Sequence, residues 1–223
     1  MLLQGLADFC AANELSLDAA MLTQLGKYAG YLLSWNTRIN LISRKDEENI
    51  FARHILHSLV LRMPAICDYD FTNKRVADVG TGGGLPGIPI RIVTPSISMT
   101  LIDSVQKKIA ACQDMIEQLD LSNIRAIAGR AEELAKLPEY AGAFDAIVSR
   151  AVAPLEELTK WTQGLLKPSG VLFSLKGGDL NEEIKRTKRL NYVVSVEEIP
   201  LALNGYDEFS REEKKLIRVQ LKR

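Results

Sequence analysis

The spacing of the hydrophobic positions changes once along this chain, near residue 65. Before that point, apolar residues recur at the three- and four-residue intervals of amphipathic helices. A first stripe joins Leu2, Leu3, Leu6, Phe9 and Cys10, which predicts a helix at the start of the chain.

Two further helices are predicted in the same region. Apolar residues at helical spacing between residues 20 and 33 follow Ser16, which we interpret as the N-cap. A third helix is predicted over residues 46–63, since acidic residues occupy its first turn and Pro64 ends it.

After Lys74 the pattern alternates between short apolar strands and helices, which is typical of a parallel sheet covered on both faces. The last two strands are joined by a loop without a helix, so we expect them to pair antiparallel. The predicted strands are 75–79, 99–103, 124–128, 144–149, 171–175, 193–199 and 216–221. The predicted helices are 88–92, 105–119, 131–134, 155–166 and 180–190.

These patterns predict an α/β fold with a doubly wound, Rossmann-like sheet of seven strands. The sheet is mostly parallel, with an antiparallel C-terminal hairpin. We place a helical extension at residues 1–65 and the sheet domain at residues 66–223.

Composition narrows the classes of protein. Lys and Arg together number 28, as do Asp and Glu, so no overall basicity indicates a nucleic-acid partner, although a local patch is compatible with this balance. The three cysteines are far apart, which predicts reduced thiols. No apolar run reaches the ~18 residues of a membrane span. We therefore expect a cytoplasmic protein with no membrane partner and no bound metal.

A glycine loop after the first predicted strand carries the strongest chemical signal. Asp78 closes the strand, and Gly80, Gly82 and Gly84 follow at alternating positions. Glycine leaves no Cβ between the backbone and a ligand, and strand–loop–helix units of this kind hold adenine-containing cofactors.

Two cofactor templates compete for this loop. The dinucleotide pattern G-x-G-x-x-G begins at Gly82, whereas the S-adenosylmethionine pattern D/E-x-G-x-G-x-G begins at Asp78. The second is better placed, because Pro86 falls inside the dinucleotide register and suits the first turn of the next helix. Asp103, at the end of the second strand, can accept both ribose hydroxyls under either template.

The ends of the next two strands leave alternatives open. Residues 129–133 suit a contact to the adenine edge, or a helix N-terminus with acids in its first turn. Arg150 suits a methionine carboxylate or an RNA phosphate, with a surface arginine as the alternative. The Asn/Asp-Pro-Pro-aromatic motif of enzymes that methylate exocyclic amines is missing after the fourth strand, so an amine is not the obvious target.

Histidines and basic residues add weaker signals. His54 and His57 share a helix face, and we interpret them as local structure or an RNA contact rather than as metal ligands. Basic residues form a phosphate-binding rim if they surround the cofactor crevice, and otherwise are solvated helix faces. The set is Arg38, Arg44, Lys45, Arg53 and Lys176.

Several blocks in one order resemble the bacterial small-subunit ribosomal RNA guanine-N7 methyltransferase family, also known as glucose-inhibited division protein B. The resemblance extends from about residue 15 to the C-terminus. The blocks are Trp35-Asn36 with residues 40–43, Arg53-His54-Ile55-Leu56 with Ser58, residues 78–89, Asp103-Ser104 with Lys107-Lys108, Phe144-Asp145 with Ser149-Arg150-Ala151, and Leu175-Lys176-Gly177.

This resemblance implies a class I methyltransferase fold and S-adenosylmethionine as methyl donor. The implied acceptor is N7 of a guanine in the 530-region loop of 16S ribosomal RNA, presented as RNA or within the small ribosomal subunit, and we expect a monomer. Since N7 carries no proton, no general base is required, and no catalytic residue is assigned. The expected cofactor-binding residues are Gly80, Gly82, Gly84, Leu85, Asp103, Ala131, Glu132 and Arg150.

The chain departs from the family pattern at two places. His57 stands where an acid is usual, and the segment after Ser104 lacks the usual aromatic-containing Lys-Arg run. The first departure leaves open a non-catalytic, ribosome-associated protein that binds S-adenosylmethionine and RNA. The dinucleotide template leaves open an NAD-dependent oxidoreductase.

Overall fold

The computed structural model describes residues 3–222, so Leu2 of the first predicted stripe lies outside the described residues. Two helices open the chain, α1 (Leu3–Ala12) and α2 (Ala19–Asn36). The N-cap of α2 is Asp18, whose carboxylate accepts a hydrogen bond from the Met21 N–H at 2.7 Å. The prediction of Ser16 as the N-cap is therefore wrong, because the helix begins two residues later than that position requires.

The predicted helix over residues 46–63 is a succession of short helical turns. A 3-10 turn (Arg44–Asn49) leads into a π-helical turn (Phe51–Leu56), then α3 (His57–Leu59) and a final 3-10 turn (Val60–Arg62). The backbone turns extended at Met63, as a residue before proline favours. π-helical turns are frequent at functional sites.

The seven predicted strands are all present in one sheet. Its order is β3-β2-β1-β4-β5-β7-β6, with β1 to β5 parallel and β7 antiparallel to both of its neighbours. This arrangement confirms the predicted fold class. The strands are β1 (Arg75–Val79), β2 (Ser98–Asp103), β3 (Ile124–Ala128), β4 (Phe144–Arg150), β5 (Leu166–Gly177), β6 (Val193–Pro200) and β7 (Lys214–Leu221).

Helices connect the strands much as predicted. The helix predicted over residues 155–166 ends earlier, at Thr162, because Leu166 pairs with Phe144 as the start of β5. The connection between β6 and β7, expected to be a loop, contains a short helix. The helices are α4 (Gly87–Val93), α5 (Gln106–Gln118), α6 (Ala131–Leu134), α7 (Leu155–Thr162), α8 (Asn181–Lys188) and α9 (Glu208–Arg211).

Two hydrophobic cores lie on opposite faces of the sheet. Phe173 points into one core and Leu172 into the other, as the two-residue period of a strand requires. The first core also receives α1, α2 and the helical turns up to residue 62, so the N-terminal helices pack directly on the sheet. Within residues 3–222, no helix is long and apolar enough to cross a membrane.

Candidate functional site

A crevice of about 470 Å³ opens at the carboxyl ends of β1, β2, β3 and β4. Doubly wound sheets bind ligands at this edge, where the strand order reverses, here between β1 and β4. The volume lies within the range of small-molecule sites. The lining combines the glycine loop, the ends of β2 and β4, and residues 129–132 after β3.

Backbone hydrogen bonds hold the glycine loop against β2. The N–H groups of Gly80 and Thr81 both donate to the Ile102 carbonyl, at 2.8 and 3.0 Å. The Gly82 N–H donates to Asp103 Oδ2 at 3.0 Å, and the other Asp103 oxygen accepts from the Val105 N–H at 2.9 Å. Each oxygen keeps a second lone pair, so Asp103 can shape the loop and still accept hydrogen bonds from a ligand in the crevice.

Asp78 supports the loop from beneath rather than from the crevice. Its side chain is completely buried, and Oδ2 accepts from the Thr81 hydroxyl at 2.6 Å and from the Gly87 N–H at 2.8 Å. Burial raises the pKa of Asp78 to about 7, against the lowering effect of those two hydrogen bonds. The strand-ending acid of the sequence motif therefore ties the loop to the start of α4.

The N-terminal helices complete the loop from its other side. The buried Tyr28 hydroxyl of α2 donates to the Gly83 carbonyl at 2.8 Å. At the last residue of α2, the Asn36 side-chain oxygen accepts from the backbone N–H groups of Leu41 and Ile42 at 2.8 and 2.9 Å. These bonds fix the turn that places Leu41 on the crevice wall.

The structure brings most of the sequence-predicted residues together around the crevice. Gly84 is the exception, since it is not among the residues that line the crevice. A Cβ at this position would overlap Ile88 of α4, so the glycine allows the loop to pack against the helix, and the expected contact of Gly84 with the cofactor stays a prediction. The residues that do line the crevice are Gly80, Gly82, Leu85, Asp103, Ala131, Glu132 and Arg150.

Among the crevice residues that sequence reasoning did not assign to the site, four illustrate how separated parts of the chain contribute. Val152 and Lys108 lie close in sequence to predicted positions, and Leu41 belongs to a block that carried the family resemblance. Nothing in the pattern around Trp161 indicated a place in the site. The four are Leu41, Lys108, Val152 and Trp161.

Arg150 reaches from the crevice into the protein interior. Its Nη1 donates to the Arg53 carbonyl of the π-helical turn at 3.3 Å. Burial lowers the pKa of Arg150, while the nearby Tyr28 and Asp78 raise it. The interpretation of this residue as a surface arginine is therefore wrong.

His54 and His57 are buried and belong to the core rather than to the crevice. Burial lowers the pKa of His54 to about 3 and holds that of His57 well below its ordinary value, with Arg150 adding to both effects. The His57 ring packs 5.1 Å from the Phe209 ring, centroid to centroid. Among residues 3–222, no group of three or more His, Cys, Asp or Glu side chains is placed to hold a metal ion.

Two residues of the predicted phosphate-binding rim form ion pairs within the protein. Arg53 pairs with Glu208 and Glu212, each at 2.9 Å, and with Asp46 at 3.6 Å. Lys176 pairs with Glu183 at 2.8 Å.

The other three residues of that set are exposed. Arg38 lies over the Trp35 ring, and Arg44 and Lys45 follow Leu41 along the chain. Lys108 and Arg130 add basic groups to the crevice itself.

The crevice fits an adenosine-containing cofactor. Gly82 has a φ of +57°, and a Cβ built on it would find only the Leu41 carbonyl within 4 Å, at 3.9 Å. The protein therefore leaves open space beside this lining residue, and a ligand can use it. The acid at the end of β2, also on the wall, has the chemistry to accept ribose hydroxyls.

Solved structures at low sequence identity show which fold the protein has. A precorrin-6y C5,15-methyltransferase from Geobacter metallireducens has a TM-score of 0.50 at 15% identity, over 83% of this chain and 92% of that one. A predicted O-methyltransferase of Agrobacterium tumefaciens has a TM-score of 0.58 at 15% identity, over 74% and 80%. The fold is that of the Rossmann-like methyltransferases, whose methyl donor is S-adenosylmethionine.

Sequence comparison then gives the family. The profile described as "GidB: rRNA small subunit methyltransferase G" matches residues 21–208, and the chain belongs to this family. A ribosomal RNA small subunit methyltransferase G from Chlorobaculum tepidum is 44% identical, over 90% of this chain and 89% of its own length. The protein of the same name from Clostridium novyi is 35% identical, over 79% and 71%.

Proposed function

We propose that this protein transfers a methyl group from S-adenosylmethionine to N7 of a guanine in the 530-region loop of 16S ribosomal RNA. The observation that carries the proposal is the family match over residues 21–208, which spans most of α2 and all of the residues that line the crevice. The crevice supports it, because seven of the eight residues expected to contact the cofactor line one cavity.

The proposed role of each wall follows from its chemistry. Gly82 leaves the backbone open to close approach by the cofactor. At Gly80 the space of a Cβ is filled by Val152, so we expect only backbone atoms of Gly80 to contact the cofactor. Asp103 is an acceptor for ribose hydroxyls, and Ala131 with Glu132 forms the wall nearest to the adenine. Arg150, a cation at the end of β4, suits a carboxylate.

When bound, S-adenosylmethionine supplies a methyl group on a positively charged sulfur. Guanine N7 carries a lone pair and no proton, so the protein needs no general base. Its residues would act by orienting the acceptor, an effect worth ~7–11 kcal/mol in favourable cases. Leu41 and Val152, both on the wall, would also exclude water from the site. The target base must be unstacked or lie in an open loop to reach this depth.

The non-catalytic alternative gains nothing from His57. This residue packs against Phe209 away from the crevice lining, so its substitution for the usual acid removes no group from the site.

We also propose a monomer that acts in the cytoplasm, with residues 1–65 as an extension of the methyltransferase domain at residues 66–223. The extension contributes to the site, since it supplies Tyr28 to the glycine loop and Leu41 to the crevice.

The test uses small ribosomal subunits and 16S RNA from a strain that lacks this enzyme. Each is incubated with labelled S-adenosylmethionine and the protein, and the RNA is then cleaved chemically at N7-methylguanine. We expect label in one or both substrates and a single enzyme-dependent cleavage site in the 530-region loop. Label without cleavage would overturn the N7 assignment, and an absence of label in both substrates would overturn the proposed activity.

A further inference from the structure

The loop between β4 and α7, residues 151–154, forms the wall of the crevice at the side opposite to Asp103. Ala151 has a φ of +52°, in the left-handed region that a residue with a side chain rarely adopts. Val152 lines the crevice, is 36% exposed, and lies so close to Gly80 that a Cβ there would overlap it. A loop in a costly conformation needs contacts that hold it.

Lys176, near the end of β5, supplies those contacts together with Glu183 of α8. The Lys176 ammonium donates to the Ala153 carbonyl at 2.8 Å and pairs with Glu183 Oε2 at the same distance. That carboxylate oxygen also accepts from the Leu155 N–H at 2.7 Å. One ion pair therefore grips the loop on both sides of Pro154.

The ion pair is largely enclosed, so its strength is not lost to solvent screening. The Lys176 side chain is 10% exposed and that of Glu183 is 24% exposed. Burial raises the pKa of Glu183, but the hydrogen bonds from Lys176 and the Leu155 N–H outweigh that effect, so the pKa lies below its ordinary value. With its ammonium bound to two acceptors inside the protein, Lys176 is poorly placed to be a phosphate ligand.

We propose that Lys176 and Glu183 are positioning residues for methyl transfer, which fix the 151–154 loop so that Val152 presents a defined apolar surface to the acceptor base. The proposal rests on the proposed function, since it assigns the loop to the acceptor rather than to the cofactor. The fold supports this division: Asp103 and residues 129–132 occupy the β2–β3 side of the crevice, and the loop occupies the β4 side.

The chain contains a matched control for the test. Lys167 pairs with Asp145 Oδ1 at 2.8 Å, and the other Asp145 oxygen accepts from the Arg75 N–H at 2.8 Å. This ion pair has the same chemistry, but it lies at the amino ends of β1 and β4, away from the crevice. Lys176→Met and Lys167→Met each remove one such pair.

Methyl transfer to the small subunit or RNA is measured at saturating S-adenosylmethionine, and S-adenosylhomocysteine binding by calorimetry. For Lys176→Met we expect kcat/KM for RNA to fall about 10- to 100-fold, the scale of a misplacement near 1 Å, while the Kd for S-adenosylhomocysteine stays within about twofold. Lys167→Met should leave both quantities near the wild-type values. Glu183→Gln, which keeps the shape of the partner, should reproduce the kinetic loss.

The outcomes separate this proposal from the proposed function. Unchanged transfer by Lys176→Met, or equal losses in the Lys176 and Lys167 variants, would overturn the positioning role. An equal loss of S-adenosylhomocysteine affinity would overturn the assignment of the loop to the acceptor. If Lys176→Met does not fold, the same readouts on Glu183→Gln decide. Inactive wild-type protein would instead count against the proposed function.

Discussion

Replacement of Gly82 by alanine gives a sharp test of the cofactor crevice, because the chain holds a second glycine in nearly the same surroundings. Gly82 and Gly142 both have a φ of +57°, and a Cβ on each would find one backbone carbonyl oxygen within 4 Å, at 3.9 and 3.8 Å respectively. Alanine in the left-handed region costs about 1–2 kcal/mol at either site. Only Gly82 lines the crevice.

Both variants should therefore unfold at temperatures lower by several degrees, at about 2–4 °C per kcal/mol for a chain of this size. Their affinities for the cofactor should differ. A methyl group forced into a close-packed contact costs about 1–3 kcal/mol, so Gly82→Ala should raise the Kd for S-adenosylmethionine by about 5- to 150-fold. Gly142→Ala should bind as the wild type does.

Calorimetric titration with S-adenosylmethionine, alongside thermal unfolding of the three proteins, supplies both readouts. Equal affinities in all three would refute the assignment of the glycine loop to the cofactor. An equal loss of affinity in both variants would show that strain in the fold, and not contact with the ligand, controls binding.

Three further predictions concern residues around the loop. Tyr28→Phe leaves a buried carbonyl without its partner, so it should lower the free energy of unfolding by about 1–3 kcal/mol and weaken S-adenosylmethionine binding. Tyr69→Phe loses a longer, partly buried bond to a carbonyl at the far end of the sheet, and it should affect stability alone. Asp103→Asn should weaken S-adenosylhomocysteine binding about tenfold, as measured by calorimetry, because a charge-assisted bond becomes a neutral one; unchanged affinity would contradict ribose binding there. His57 stays neutral in the fold, so its contribution to the free energy of unfolding should decrease as the pH falls below about 6.5, where the unfolded chain gains a proton. Urea titrations of His57→Gln and of the wild type at several pH values should show this difference. Parallel pH profiles of the two proteins would argue against it.

The strands of the sheet could be predicted closely because each is marked by its own local sequence pattern. Residues 75–79 and 124–128 have the predicted bounds, since their apolar runs are enclosed by polar or turn-forming neighbours. Residues 46–63 have helical spacing throughout, yet they form 3-10 and π turns. In this segment the Arg53 carbonyl accepts from Arg150, and the Arg53 side chain pairs with Glu208 of the β6–β7 connection. Local periodicity carries no information about such partners.

The site was predictable where it depends on the glycine loop and strand ends, and not where it depends on distant segments. Gly80 and Asp103 follow from the general rule for doubly wound sheets. The position of Leu41 in the crevice depends on the turn that Asn36 fixes. The position of Val152 depends on the hydrogen bond from Lys176 to its loop. The Arg53 guanidinium has the chemistry of a phosphate ligand, but it forms ion pairs with Glu208 and Glu212, which lie far away in the sequence.

The position of β7 bears on how the protein folds during synthesis. This last strand of the described chain, Lys214–Leu221, lies between β5 and β6 and pairs with both. Until β7 has been synthesised, one edge of β5 is unpaired, and β6 has no strand with which to pair. The sheet can close only after residues 214–221 have left the ribosomal exit tunnel, so premature termination before this point should yield an aggregation-prone product rather than a partly active enzyme.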